Sequence, residues 1–190
     1  MIRIGILGDI GSGKSYVANS FGYPVFNADE EVTKLYKNNR KIYNKLKKAL
    51  PKYIHSFPVN KIELTKAILA KKINLKKIVK IVHIEIRKKM NIFIKKNKNK
   101  KFIILDIPLL LENKIYKKND ILVFVWSKKQ DIQKRLIKRL HYNSLLINRF
   151  RNLQLSLAVK RRKSHFILRN NFTKKTINQG INNILKIIIK

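Results

Sequence analysis

The sequence predicts an α/β fold built on a parallel sheet, and three observations lead there. Residues 2–7 form a short apolar run closed by glycine, as a buried parallel strand does, and a glycine-rich loop and a helical stretch follow at once. Two further apolar runs, 102–105 and 121–126, have strand length and end in Asp106 and at the turn-forming Ser127. Between and after them lie long segments with apolar residues at helical spacing.

Taken in order, residues 15–21 continue the glycine-rich loop as a helix, and residues 23–26 read as a second short strand that ends at Asn27-Ala28-Asp29. From residue 30 to about residue 97 the pattern is helical. Val32, Leu35 and Tyr36 share one face, Leu64, Ile68 and Leu69 repeat the spacing, and Ile78, Ile81, Val82, Ile86 and Met90 extend it. Pro51 and Pro58 divide this stretch into at least two helical parts. Residues 130–140 and 145–157 read as helices and 166–168 as a last short strand. A closing helix from 173 onward carries Ile177, Ile181, Ile184, Leu185 and Ile188 as one stripe. No internal repeat is visible.

The chain has 190 residues, enough for one compact unit with small insertions, and 45% hydrophobic residues supply a core. It contains no cysteine, which excludes disulfides, thiolate catalysis and cysteine-ligated metals. No apolar run approaches the length of about 18 residues needed for a membrane span. The opening residues read as a core strand and not as a secretory signal, so a cytoplasmic location is expected. The net charge of +35 invites a nucleic-acid or membrane-surface reading. Against it, the lysines are spread along the chain together with abundant asparagine and isoleucine, and aromatics are not interleaved with the basic residues as on a base-stacking surface. Compositional drift is the simpler account, and a positive surface would still concentrate polyphosphates.

The chemistry is concentrated in Gly8-Asp9-Ile10-Gly11-Ser12-Gly13-Lys14-Ser15, a complete G-x-x-x-x-G-K-S between a strand and a helix. Glycines let backbone N–H groups turn inward around a phosphate, and the helix start adds partial positive charge. Gly8, Ile10, Gly11, Ser12, Gly13, Lys14 and Ser15 are therefore the candidate nucleotide-binding residues. Lys14 is expected to bridge phosphate oxygens and Ser15 to offer its hydroxyl to Mg²⁺. The chain has only six glycines, and three of them stand here, which argues against a chance match.

Two of the ten acids follow predicted strands on the edge where open α/β sheets bind ligands. Asp29 reads either as a helix N-cap or as a group that takes a proton from an acceptor hydroxyl. Asp106 reads either as a strand-end turn residue or as an acid that holds Mg²⁺, directly or through water. Arg135 and Arg139 share a helical face, either solvated or set over phosphates. His55, His83, His141 and His165 are too scattered for a metal site.

Several of these segments together resemble the dephospho-CoA kinase family. Residues 5–15 are similar to its G-L-T-G-G-I-G-S-G-K-S, and Val25-Phe26-Asn27-Ala28-Asp29 to its V-I-D-A-D. The segment from Asp106 through Pro108, Leu109 and Leu110 to Glu112 is close to its D-x-P-L-L-F-E, the most specific of the set. Val82-His83 resembles its histidine-proline step, and Gln133, Arg135 and Arg139 its Q-x-x-R-x-x-x-R stretch or a near variant of it. Gln154 and Asn170 stand where the family has a glutamine and a late asparagine near the adenine.

The resemblance implies a three-layer P-loop kinase fold in a single unit spanning 1–190. Its core would be 1–29, 102–126 and 164–190, with a helical substrate-binding insertion at 30–100 and a small helical lid at 127–150. It implies ATP-dependent phosphorylation of the ribose 3′-hydroxyl of dephospho-CoA, with ATP and Mg²⁺ as cofactors, no specific nucleic-acid partner, no membrane, and a monomer or small homo-oligomer. Asp29, Lys14 and Arg139 would be catalytic, with Arg139 closing over the ATP phosphates and Asn170 near the base; Arg135 is the lesser lid residue. The departures are Leu7, Asp9, Asn27, Ile84 and Ser164-His165, where the family has other residues. Asp9 sets a carboxylate beside the phosphates, and repulsion there is expected to weaken ATP binding. The competing readings are a P-loop kinase for another nucleoside or nucleotide, and a basic nucleic-acid-binding protein with a vestigial nucleotide site.

Overall fold

A computed structural model describes residues 1–138 and 142–189. In chain order the elements are β1 (Ile2–Gly8), α1 (Lys14–Ser20), β2 (Val25–Asn27), α2 (Ala28–Asn38), α3 (Arg40–Ala49), α4 (Lys61–Ala70), α5 (Lys72–Lys96), β3 (Phe102–Asp106), β4 (Ile121–Trp126), α6 (Lys129–Ile137), α7 (Ser144–Arg151), α8 (Leu157–Arg162), β5 (Phe166–Arg169) and α9 (Lys174–Ile189). They form two compact units. The first comprises Met1–Asn27, Lys96–Tyr142 and Leu153–Lys190, and the second Ala28–Lys95 and Asn143–Asn152.

The first unit is organised by a five-stranded sheet in the order β2-β3-β1-β4-β5, parallel throughout. β1 sits at its centre because its residues from Arg3 to Gly8 are all buried and suit a strand covered on both faces. On one face Ile4, Ile6, Phe102, Ile104, Val123 and Val125 meet Val17, Ala18 and Phe21 from α1 and its end, and Ile177, Ile181 and Ile184 from α9. On the other face α8 packs beside β1, and Leu110 lies so close to Gly5 that a Cβ there would stand 2.5 Å from its Cδ2. Helices on both faces of a parallel sheet give the three-layer arrangement. Arg3, buried on that second face, is paired with Asp120 at 2.8 Å.

The second unit is helical. Asn39, Asn60 and Asn143 each cap a helix, accepting from the backbone N–H of Ile42, Ile62 and Leu146. Leu35, Ile42, Leu46, Leu64, Ile68, Leu75, Ile78, Val82, Ile86 and Met90 bury its apolar stripes. Glu31 on α2 bonds Lys89 on α5 at 2.9 Å, and Arg149 on α7 donates to the Leu69 carbonyl on α4 at 3.3 Å.

The segment expected as one helix over 145–157 is two. α7 stops at Arg151, and Leu155 N–H donates to Glu112 instead of continuing a helix. Ser156 then caps α8 by accepting from Val159 N–H at 3.3 Å. A periodic apolar pattern cannot reveal a break whose partner lies 43 residues away. Residues 127–138 fall in the first unit and 143–150 in the second. Arg139 lies outside the described residues.

Candidate active site

β1 delivers the chain to the phosphate-binding loop at the C-terminal edge of the sheet, and α1 leads it away. Gly11 and Gly13 adopt φ of 89° and 87°, in the left-handed region that a Cβ disfavours. Gly8 is demanded by close approach as well, because a Cβ there would lie 2.8 Å from the Val125 carbonyl oxygen. Lys14 Nζ donates to the Asp9 carbonyl at 2.8 Å and to the Gly8 carbonyl at 3.4 Å, which holds the ammonium across the loop. Ser15 is exposed on the first turn of α1. Ile132 and Leu136 of α6 press against Gly11, where a Cβ would meet them at 3.0 Å.

The loop is held from beneath at one atom. The carbonyl oxygen of Ser12 accepts from Asn170 Nδ2 at 2.8 Å and from Ser127 Oγ at 3.1 Å. Asn170 is buried, its N–H donates to the Trp126 carbonyl at 2.7 Å, and its Oδ1 accepts from Phe172 N–H at 2.7 Å. The structure thus sets Asn170 against the loop backbone, with its amide nitrogen and oxygen both engaged by the protein. Ser12 Oγ is buried without a hydrogen-bond partner. It is a polar atom inside the loop with a bond still to make.

Phe172 has φ of 64°, a strained conformation for an aromatic residue. Its ring edge would lie 3.3 Å from a Cβ at Gly13, and the Arg135 guanidinium stacks over it at 4.3 Å. The sequence offered no signal for Ser127 or Phe172, because their neighbours are far along the chain.

Asp106 ends β3 as a buried residue, in register with Asn27 at the end of β2. Both stand on the same sheet edge as the loop. Ser15 and Asp106 offer oxygen donors of the kind Mg²⁺ takes, with nucleotide oxygens and water completing its shell. Among the described residues no cluster of three or more His, Cys, Asp or Glu forms a metal cage, and a phosphate-bound Mg²⁺ needs none. Asp29 belongs to the second unit. α2 begins at Ala28, so Asp29 lies inside the first helical turn with Glu30 and Glu31 and is not the N-cap. Its backbone oxygen accepts from Thr33 Oγ1 at 2.9 Å.

His165 is structural: its Nδ1 accepts from Leu122 N–H at 2.9 Å while its own N–H donates to the Leu122 carbonyl. His83 Nε2 is buried without a partner, and burial together with Arg87 holds the imidazole below its usual pKa.

A parallel sheet with helices on both faces, and a lysine-bearing phosphate loop at the end of its central strand, define the P-loop nucleotide-binding class. The family model described as dephospho-CoA kinase matches residues 2–176, and the chain belongs to that family. A dephospho-CoA kinase of Wolbachia pipientis is 34% identical over 187 residues, covering 96% of this chain and 95% of its own. The fold matches a solved structure from Thermus thermophilus with a TM-score of 0.76 and 21% identity, over 100% of this chain and 98% of the other. It also matches the dephospho-CoA kinase from Campylobacter jejuni with a TM-score of 0.62 and 21% identity, over 98% and 96%.

Proposed function

We propose that this chain transfers the γ-phosphoryl group of ATP to the ribose 3′-hydroxyl of dephospho-CoA, giving CoA and ADP. The observation that carries this reading is the family match over residues 2–176, which takes in the helical residues 28–95 as well as the phosphate loop. A P-loop alone supports nucleotide binding and leaves the acceptor open.

In this reading the backbone N–H groups of residues 11 and 13–15 and the Lys14 ammonium bind the ATP phosphates and neutralise the charge that develops during transfer. Asn170 and Ser127 keep that loop in shape through the Ser12 carbonyl. Ser15 and Asp106 would hold Mg²⁺, which supplies charge neutralisation at the phosphates. Asp29, in the first turn of α2, orients the acceptor hydroxyl and accepts its proton. Arg139 supplies positive charge to the transferring phosphates, with Arg135 the lesser cation. The helical insertion at 30–100 receives the acceptor. The protein works in the cytoplasm as a monomer or small homo-oligomer, without a specific nucleic-acid partner.

The test is ADP formation with dephospho-CoA, compared between wild type and Asp29→Asn. Wild type is expected to turn over only when dephospho-CoA and Mg²⁺ are both present. The variant is expected to lose kcat by about 10²–10⁴, the share general-base catalysis supplies. An unchanged kcat would restrict Asp29 to supporting the helix.

A further inference from the structure

Phe172 combines a strained backbone with a side chain that the core does not use. Its φ of 64° is unfavourable for a residue with a Cβ and persists where the surroundings impose it. Two asparagine side chains tie the backbone on either side. Asn170 Oδ1 accepts from Phe172 N–H at 2.7 Å, and Asn171 Oδ1 accepts from Thr173 N–H at 3.2 Å. Core packing does not offset the strain, because the ring is only half-buried and stands outside the apolar cluster of the sheet.

What the conformation achieves is the placement of the ring. It lies against the phosphate loop, 3.3 Å from where a Gly13 Cβ would stand, and it carries the Arg135 guanidinium on its face at 4.3 Å. Arg40, Lys47 and Lys101 stand further from their aromatic rings, at 5.0, 5.7 and 5.9 Å. On either side of Arg135 in α6, Ile132 and Leu136 press on Gly11, so the helix that bears the guanidinium is itself seated on the loop. The cation is therefore held from two directions, by its helix and by the ring it covers. An exposed arginine otherwise samples many rotamers, and ordering it when a ligand arrives costs affinity. A neutral ring orders the cation beforehand without cancelling its charge.

We propose that Phe172 is a positioning residue, whose ring holds the Arg135 guanidinium beside the phosphate loop before the nucleotide arrives. The inference rests on the reading of Arg135 as a cation that serves the nucleotide phosphates.

The experiment is calorimetric titration with ATP in excess Mg²⁺, with a thermal melt of each protein. It compares wild type, Phe172→Leu, Phe172→Tyr, Arg135→Ala and the double variant of Phe172→Leu with Arg135→Ala. Leucine keeps apolar bulk against Gly13 and the same backbone strain but offers no aromatic face. Phe172→Leu and Arg135→Ala are each expected to weaken ATP binding by about fivefold, the worth of one such stack. The double variant should bind as Arg135→Ala does, whereas independent effects would multiply to about 25-fold. Phe172→Tyr should restore binding to within about twofold of wild type. Should Phe172→Leu fail to give a cooperative melt, Phe172→Gly, whose backbone suits the left-handed region, carries the same comparison. Multiplying effects, or a Phe172 variant that binds as wild type while Arg135→Ala is weakened, would overturn the proposal. Wild-type affinity in Arg135→Ala would overturn the reading of Arg135 first, and this inference with it.

Discussion

The Ser12 carbonyl receives both Asn170 and Ser127, partners 158 and 115 residues away in sequence. Replacing Asn170 by alanine leaves Ser127 in place, so the loop should persist but loosen. Losing a buried hydrogen bond of this kind costs about 1–2 kcal/mol. The expected outcome is a lower melting temperature and a raised KM for ATP, with kcat largely kept, as read by thermal unfolding and steady-state kinetics. An unchanged melting temperature with an altered choice between ATP and GTP would place Asn170 at the base instead. The loop itself was legible from sequence, because spacing alone fixes which residues turn around a phosphate. The residues that hold it were not, since nothing local in Ser127 or Phe172 signals a partner more than a hundred positions away. Asp29 lay between these cases: its place after β2 was readable, while its position within the first turn of α2 depended on where that helix starts.

At the scale of elements, the break between α7 and α8 is secured by a buried ion pair. Lys160 on α8 is almost fully buried, with Nζ donating to Gln154 at 2.7 Å and lying 3.2 Å from Glu112. Glu112 also accepts from Leu155 N–H, and its Oε2 is buried without a partner. Lys160→Met would leave that carboxylate uncompensated, at a cost of about 3–5 kcal/mol. Thermal unfolding should show a fall on the order of 10 °C, and adding Glu112→Leu should recover much of it. A shift of a degree or less in the single variant would mean that the pair contributes no stability.

His83 on α5 makes a pH-dependent prediction. Its folded pKa lies below the ordinary 6.5, so the unfolded chain binds the proton more readily. Its contribution to stability is therefore complete above that value and lost as the pH falls through it. Wild type should lose stability more steeply than His83→Gln between pH 7 and pH 5 in denaturant titrations. Coincident slopes would show that charging this imidazole carries no cost. Strand positions and the long helical stretch were legible from apolar runs and helical spacing. The division of residues 28–96 into α2, α3, α4 and α5 was only partly so: the prolines marked one gap, whereas the caps Asn39 and Asn60 look like any other asparagines in a chain rich in them.

For the molecule as a whole, the +35 charge is the property that sequence alone interpreted least well. No helix among the described residues is long and apolar enough to cross a membrane. The family relationship is shown by the family match over residues 2–176. The α/β class followed from local patterns. The division into units did not, because 143–152 joins residues far earlier in the chain through contacts such as Arg149 with Leu69. The acceptor is identified by mass analysis of the product after incubation with ATP, Mg²⁺ and dephospho-CoA alongside a panel of nucleosides and nucleoside monophosphates. The expected product is dephospho-CoA carrying one added phosphoryl group, at the ribose 3′ position, with no product from the panel. Unmodified dephospho-CoA beside a phosphorylated nucleoside or nucleotide would contradict this assignment of the acceptor.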